Sequence, residues 1–130
     1  MTRFALVAGA IYGFVSVALG AFGAHALKAT LTDELLNTWE TGVRYMAVHA
    51  LVLLFVGIWV RGQNAAQGPA TDPALHWAII CFFLGTLLFS GSLYALCLSG
   101  VRALGAITPF GGLILMAGWL LLAVAALRGA

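Results

Sequence analysis

The chain has 130 residues, of which 63% are hydrophobic and 8% charged, with a formal net charge of +2. Soluble domains carry roughly a quarter charged residues, so a chain this poor in charge lacks the residues for a water-facing surface. Its few basic residues are scattered along the sequence, which excludes a nucleic-acid-binding face.

The first predicted membrane span covers about residues 4–27. Phe4 to Ala24 carries no charged residue, and at about 1.5 Å per residue it is about 31 Å long, enough to cross a hydrocarbon core of about 30 Å. The same stretch, preceded by Arg3, also resembles a secretory signal peptide. Its apolar part is longer than the roughly 7 to 15 residues of such peptides, so we favour a span.

The second predicted span covers about residues 43–61. Before it, Thr32 has the residue type of a helix N-cap, and Asp33 and Glu34 follow in the first turn. This pattern predicts that the helix extends outward as an amphipathic interfacial helix ahead of the span.

The third predicted span covers about residues 74–98. It follows residues 62–71, which are rich in Gln, Asn, Ala and Gly. Asp72 and Pro73 then supply a cap and a first-turn proline, a pair typical of a helix start.

The fourth predicted span covers about residues 108–127, where Thr108 and Pro109 repeat the cap-and-proline pair. Short connections make successive helices antiparallel neighbours. The sequence therefore predicts an all-α, polytopic membrane protein, with four transmembrane helices in an up-down bundle that forms a single domain over residues 1–130.

The basic residues do not fix the orientation of this bundle, because they divide evenly between the two faces of the membrane. One face has Arg3, Arg61 and Arg128, and the other has Lys28, Arg44 and Arg102. The positive-inside rule therefore gives a tie, and the amino terminus tips our prediction toward both termini in the cytoplasm.

Small residues recur at spacings that allow close helix packing. Gly9 and Gly13 lie four apart on the first span, and Gly111 and Gly118 lie seven apart on the fourth. We expect these faces to meet mainly within one subunit, although a homo-oligomer stays open. The tryptophans are interpreted as interfacial anchors near span ends; they are Trp39, Trp59, Trp77 and Trp119.

Antiparallel topology brings most of the polar side chains to one face of the membrane, and we predict that they form a ligand-binding set. The set comprises His25, Lys28, Arg44, Tyr45, His49, Ser90, Ser92, Tyr94, Arg102 and Thr108. Ionisable groups within a span are functional candidates by default. A histidine can also be structural, neutral and hydrogen-bonded to a neighbour, and this alternative stays open for both His25 and His49.

Arg44 has two competing interpretations. Glu40 lies four residues before it, the spacing of a helical ion pair. Alternatively, Arg44 together with Lys28 and Arg102 binds the headgroup of an anionic lipid or a small anion.

Metal and cofactor sites are disfavoured by the residues available. A metal needs about three or four ligands, and the candidates on this face are His25, His49 and Cys97. A haem held by the two histidines would lie close to water, and no nucleophile has a base and an orienting group at suitable positions. We therefore predict no catalytic residue, no metal, no cofactor and no enzymatic activity.

Several motifs resemble the DUF 423 family of small membrane proteins. They are GAFGAHALK at 20–28, TGVRY at 41–45 with HAL at 49–51, FSGSLY at 89–94, ITPFGG at 107–112 and GW at 118–119. The resemblance covers all four spans and implies a multi-pass protein of the bacterial inner membrane whose activity is uncharacterised. The chain departs from the family pattern at Met46, where a glutamine is usual, so a polar network that used that amide would be altered here.

These observations favour a non-enzymatic accessory or assembly factor that binds a lipid headgroup or a partner membrane protein through its polar face. The expected partners are membrane lipids, a second copy of the chain or another membrane protein. The alternative is a small transporter or channel, either a monomer or an oligomer, with His25, His49 and Arg44 at its polar entrance.

Overall fold

The computed structural model describes residues 1–67 and 72–129. Within them, four long helices are each long and apolar enough to cross a membrane, which confirms the predicted fold class. They are α1 (Thr2–His25), α2 (Asp33–Gln67), α3 (Pro73–Ser99) and α4 (Thr108–Leu127). Short 3-10 turns at Leu27–Ala29 and Arg102–Ala106 connect α1 to α2 and α3 to α4.

The helix starts follow the predicted caps at two of three positions. The Leu35 amide donates to the Thr32 hydroxyl at 3.3 Å, and the Ala74 amide donates to the Asp72 carboxylate at 2.7 Å. The predicted capping role of Thr108 is wrong. Thr108 is the first residue of α4, the cap position is Ile107, and among the described residues the helix has no side-chain cap hydrogen bond. The Thr108 hydroxyl is instead hydrogen-bonded to that of Ser92 at 2.7 Å.

Helix α2 is longer than the predicted second span at both ends. The predicted interfacial helix is its first part, continuous with the span rather than separate from it. At the other end α2 runs through Gly62 to Gln67, and residues 68–71 of the connecting segment lie outside the described residues. The membrane boundaries within each helix stay predictions.

Helices α2 and α3 form the central pair of the bundle. Helix α1 packs mainly against α2, and α4 packs mainly against α3. Each outer helix also touches the other central helix, α1 through Tyr12 against Phe83 and α4 through Trp119 against His49. The molecule is therefore an up-down bundle, as predicted.

The predicted glycine faces pack within the chain. A Cβ on Gly9 would lie 2.8 Å from the Ala50 carbonyl oxygen, and one on Gly111 would lie 2.8 Å from the Phe89 Cα. Real side chains do not approach this closely, so these glycines allow α1 to approach α2 and α4 to approach α3.

Trp39 was expected to anchor at the membrane interface, and this prediction is wrong. Its side chain is 1% exposed and its indole N–H donates to the Leu19 carbonyl of α1 at 2.8 Å. Gly23 makes this burial possible, because a Cβ there would clash with the indole ring. Trp39 is thus a core residue of the α1–α2 interface.

Candidate functional site

His49 lies buried on α2, with both ring nitrogens directed at neighbours. Its Nδ1 is 2.7 Å from the Tyr45 carbonyl oxygen, and since a carbonyl only accepts, Nδ1 carries the proton and Nε2 is the acceptor. The Trp119 indole N–H of α4 donates to Nε2 at 3.4 Å. That distance exceeds the usual range of about 2.7–3.2 Å for N–H donors, so the Nε2 acceptor is only weakly used.

A groove passes this histidine between α2 and α4. Its mouth is a cavity of about 120 Å³ lined by Arg44, Tyr45, Val48 and His49. The next cavity, of about 510 Å³, shares Tyr45 and His49 and adds Phe89 of α3 and Pro109, Met116 and Trp119 of α4, among others. A third cavity, of about 300 Å³, shares Trp119 and is lined by Leu51, Val52, Phe55 and Leu122. We call these three cavities together the α2–α4 groove.

The α2–α4 groove is apolar and open along its side. From Arg44 to Phe55 it follows about 17 Å of helix at about 1.5 Å per residue, which is roughly half of a hydrocarbon core of about 30 Å. Its walls are partly exposed, with Tyr45 at 41%, Met116 at 63% and Trp119 at 46%. The groove is thus as long as one leaflet and faces the surrounding lipid.

Arg44 lies at the mouth of the groove and does not pair with Glu40. In the described residues 1–67 and 72–129, one ion pair has its charged atoms within 4 Å, and it joins Arg128 to Asp72 at 3.7 Å. A helical pair four residues apart contributes only about 0.2–0.5 kcal/mol, too little to hold Arg44 away from the groove wall. The predicted Glu40–Arg44 ion pair is therefore wrong, and the Arg44 guanidinium stays exposed beside Tyr45 and Val48.

Ser90 and Tyr94 lie at the seam between α2 and α3 rather than in the groove. The Ser90 hydroxyl donates to the Gly42 carbonyl at 2.8 Å, and the Tyr94 hydroxyl points at the Met46 sulfur at 3.9 Å. Both side chains are buried. Met46, the position that departs from the family pattern, thus gives Tyr94 only a weak acceptor.

Ser92 and Thr108 tie the end of α3 to the start of α4. Ser92 donates its one hydroxyl hydrogen to the Phe89 carbonyl at 2.9 Å. Thr108, 2.7 Å from the Ser92 oxygen, must therefore be the donor of that bond. The two hydroxyls satisfy each other and stabilise the connection.

His25, Lys28 and Arg102 lie exposed at the same end of the bundle, on three different segments. His25 is the last residue of α1, and the other two lie in the short 3-10 turns. The structure thus divides the predicted set into an exposed rim, two structural clusters, and the groove residues Arg44, Tyr45 and His49. Ligand binding by any of these residues stays a prediction.

Metal ligation finds no support in this arrangement. In the described ranges, no three side chains among His, Cys, Asp and Glu lie close enough to share an ion. His25 is exposed at a helix end, whereas His49 is buried and bonded through both nitrogens. Cys97 points its thiol at the Leu35 carbonyl at 3.3 Å.

Most groove residues were not in the predicted set, and two aromatic residues among them contact Tyr45 or His49. Phe89 stacks on Tyr45 with ring centroids 4.3 Å apart, and Trp119 was interpreted only as an interfacial anchor. Trp119 lies in the middle of α4, a position that already argued against an anchor at a span end. No sequence signal showed which way its side chain turns.

Four apolar helices around a buried seam, with a groove that opens sideways, define a small multi-pass membrane protein. The family model described as "Protein of unknown function (DUF423)" matches residues 19–112, and the chain belongs to this family. The chain is 42% identical over 123 residues to the UPF0382 membrane protein SH2409 of Staphylococcus haemolyticus, covering 95% of this chain and 94% of that protein.

A second relative bears on location. The chain is 40% identical over 127 residues to the UPF0382 inner membrane protein YgdD of Escherichia coli K12, covering 98% of this chain and 92% of that protein. The predicted location, a multi-pass protein of the bacterial inner membrane, is confirmed. No solved structure matches the chain.

Proposed function

We propose that this chain is a non-enzymatic accessory protein of the membrane that binds an anionic lipid in the α2–α4 groove. The observation that carries the proposal is the position of Arg44 at the mouth of an apolar groove one leaflet long. The acyl chain lies in the groove and the headgroup meets the guanidinium. A cationic side chain near the membrane surface contributes about 1 kcal/mol to binding an anionic lipid.

The buried serines are paired within the chain, although the Thr86 hydroxyl is buried without a partner among the described residues, and this pairing favours a binding protein over a small transporter. Ser16, Ser90 and Ser92 donate to backbone carbonyls within the chain. A polar pathway would need such groups free to exchange partners with a passing solute. Their internal bonds support a static role in packing.

The proposal is tested by native mass spectrometry of the full chain released from lipid nanodiscs of phosphatidylcholine and phosphatidylglycerol. We expect the wild type to retain phosphatidylglycerol. Arg44→Gln should reduce this retention about fivefold, which corresponds to the loss of about 1 kcal/mol. The matched control is Arg61→Gln, which removes the same charge near the other end of the same helix and should leave retention unchanged.

Equal retention by the three proteins would contradict the proposal. A photo-crosslinking amino acid at Leu113, a 62% exposed residue lining the groove, identifies the occupant in membranes. Crosslinks to lipid are expected. Crosslinks to one discrete protein, with no lipid adduct, would show that a partner membrane protein occupies the groove instead.

A further inference from the structure

The His49 Nε2 atom is a hydrogen-bond acceptor on a buried side chain that lines the otherwise apolar groove. The bond from Nδ1 to the Tyr45 carbonyl fixes the tautomer, so Nε2 presents a lone pair. Its donor, Trp119, is 3.4 Å away and half-exposed. A stronger donor carried by a ligand can replace this long bond at small cost.

The position of His49 relative to Arg44 restricts where such a donor sits on the ligand. The two residues are five apart on α2, about 7–8 Å along the helix axis and about 140° apart around it. Both line the cavity at the mouth, with Arg44 nearer the start of the helix. Helical side chains lean toward the N-terminus of their helix, so the imidazole leans toward the mouth. The donor must therefore lie just below the anionic group and above the acyl chain.

We infer that the α2–α4 groove selects a single-chain lipid with an anionic phosphate and a free hydroxyl on the glycerol carbon next to it, the chemistry of a lysophospholipid. This inference rests on the proposed function and names its ligand class. The phosphate meets Arg44, the hydroxyl donates to His49 Nε2, and the acyl chain runs past Trp119 toward Phe55 and Leu122. In a diacyl phospholipid that hydroxyl is esterified, so the ester oxygen, which only accepts, would face His49 Nε2, which also accepts.

The volume of the groove agrees with a single chain. Gly111 and Gly118 hold α4 close to Phe89 and Phe82 of α3, so the space beside α2 is a slot between two helices. Its largest cavity, about 510 Å³, is within the range of about 300–1,000 Å³ found for small-ligand sites. One acyl chain fits such a slot lengthwise.

The test compares two ligands that differ by one hydroxyl. They are 1-oleoyl lysophosphatidate and 1-oleoyl propanediol phosphate, its analogue without the sn-2 hydroxyl, each titrated onto the full chain in phosphatidylcholine nanodiscs and counted by native mass spectrometry. We expect lysophosphatidate to bind about three- to tenfold more tightly, the value of one hydrogen bond. His49→Phe should abolish the preference, whereas Trp119→Phe, which removes the competing donor, should keep or increase it.

The two proposals fail separately in this experiment. Equal binding of both ligands to the wild type, reduced in Arg44→Gln, would overturn the hydroxyl inference and leave anionic lipid binding intact. Binding of neither ligand, or binding indifferent to Arg44→Gln, would overturn both. The wild-type comparison needs no variant, so it decides the matter even if His49→Phe does not fold.

Discussion

Helices α1 and α4 each pack against one central helix and reach the other through an aromatic side chain with a polar atom, but the two contacts differ. The Tyr12 hydroxyl of α1 donates to the Phe83 carbonyl of α3 at 2.9 Å, and the two rings stack with centroids 5.5 Å apart. Trp119 of α4 reaches His49 only at 3.4 Å, beside an open groove. The contact of α1 is thus short and stacked, whereas that of α4 is long and lies beside the groove in which we propose that a lipid binds.

The largest effect on stability should come from the glycines at which the outer helices approach the central pair. We expect Gly9→Ala and Gly111→Ala each to lower the free energy of unfolding by about 1–3 kcal/mol, because the new methyl group meets backbone atoms that cannot rotate away. Unfolding in mixed micelles, followed by circular dichroism, measures this. Gly91→Ala is the control, since a Cβ there has nothing within 4 Å.

The same two variants show whether lipid binds beside α1 or beside α4, because each displaces only one of these helices. Gly9→Ala displaces α1, so the folded fraction should retain phosphatidylglycerol as the wild type does. Gly111→Ala displaces α4 and should change retention. Identical retention by both variants would show that the α4 flank is not the binding flank.

A smaller effect should separate the two aromatic contacts. Interhelical hydrogen bonds in membranes contribute about 0.6 kcal/mol on average and at most about 1.7, so Tyr12→Phe should lower the free energy of unfolding by an amount in that range. Trp119→Phe should cost less than about 0.5 kcal/mol, because its bond is long and lipid chains replace the lost ring contacts. The same unfolding assay measures both, and an equal loss would mean that the α4 contact is as tight as the α1 contact.

The smallest effect should come from the ion pair that joins the far end of α4 to the start of α3. Arg128 is 3.7 Å from Asp72, with 63% of its side chain exposed. We expect Arg128→Gln to lower the free energy of unfolding by less than about 0.5 kcal/mol and the difference to vanish at high salt. A loss above 1 kcal/mol that persists in salt would contradict this and make the pair a second structural tie of the α4 flank.

The sequence predicted the position of residues along the helix axes better than the direction in which each helix is rotated about its axis. Charge-free lengths and the Asp72–Pro73 pair indicated where helices lie, and antiparallel topology placed His25, His49 and Arg102 at one end of the bundle. The helices are apolar on all sides, so no polar face indicates how each is turned. Whether Trp39 or Trp119 faces protein or lipid depends on partners from other helices.

The same limit explains the local errors. Thr108 has the residue type and position of a cap, but the nearness of Ser92 on α3 gives its hydroxyl another partner. Glu40 and Arg44 have the spacing of an ion pair, but the cavity beside Tyr45 and Val48 gives Arg44 another position. For Thr108 a contact with a distant part of the chain accompanies the loss of the local preference, whereas the surroundings of Arg44 are formed by its own helix.

The length of α2 links the groove to the thickness of the bilayer. Its 35 residues measure about 52 Å, against a hydrocarbon core of about 30 Å, and even a tilt of about 40° leaves about 40 Å along the membrane normal. The helix therefore extends beyond the hydrocarbon core, and a change in bilayer thickness changes its tilt or the length that lies outside the core. Because Arg44 and His49 lie on this one continuous helix, the depths of the groove mouth and of the histidine change together with bilayer thickness.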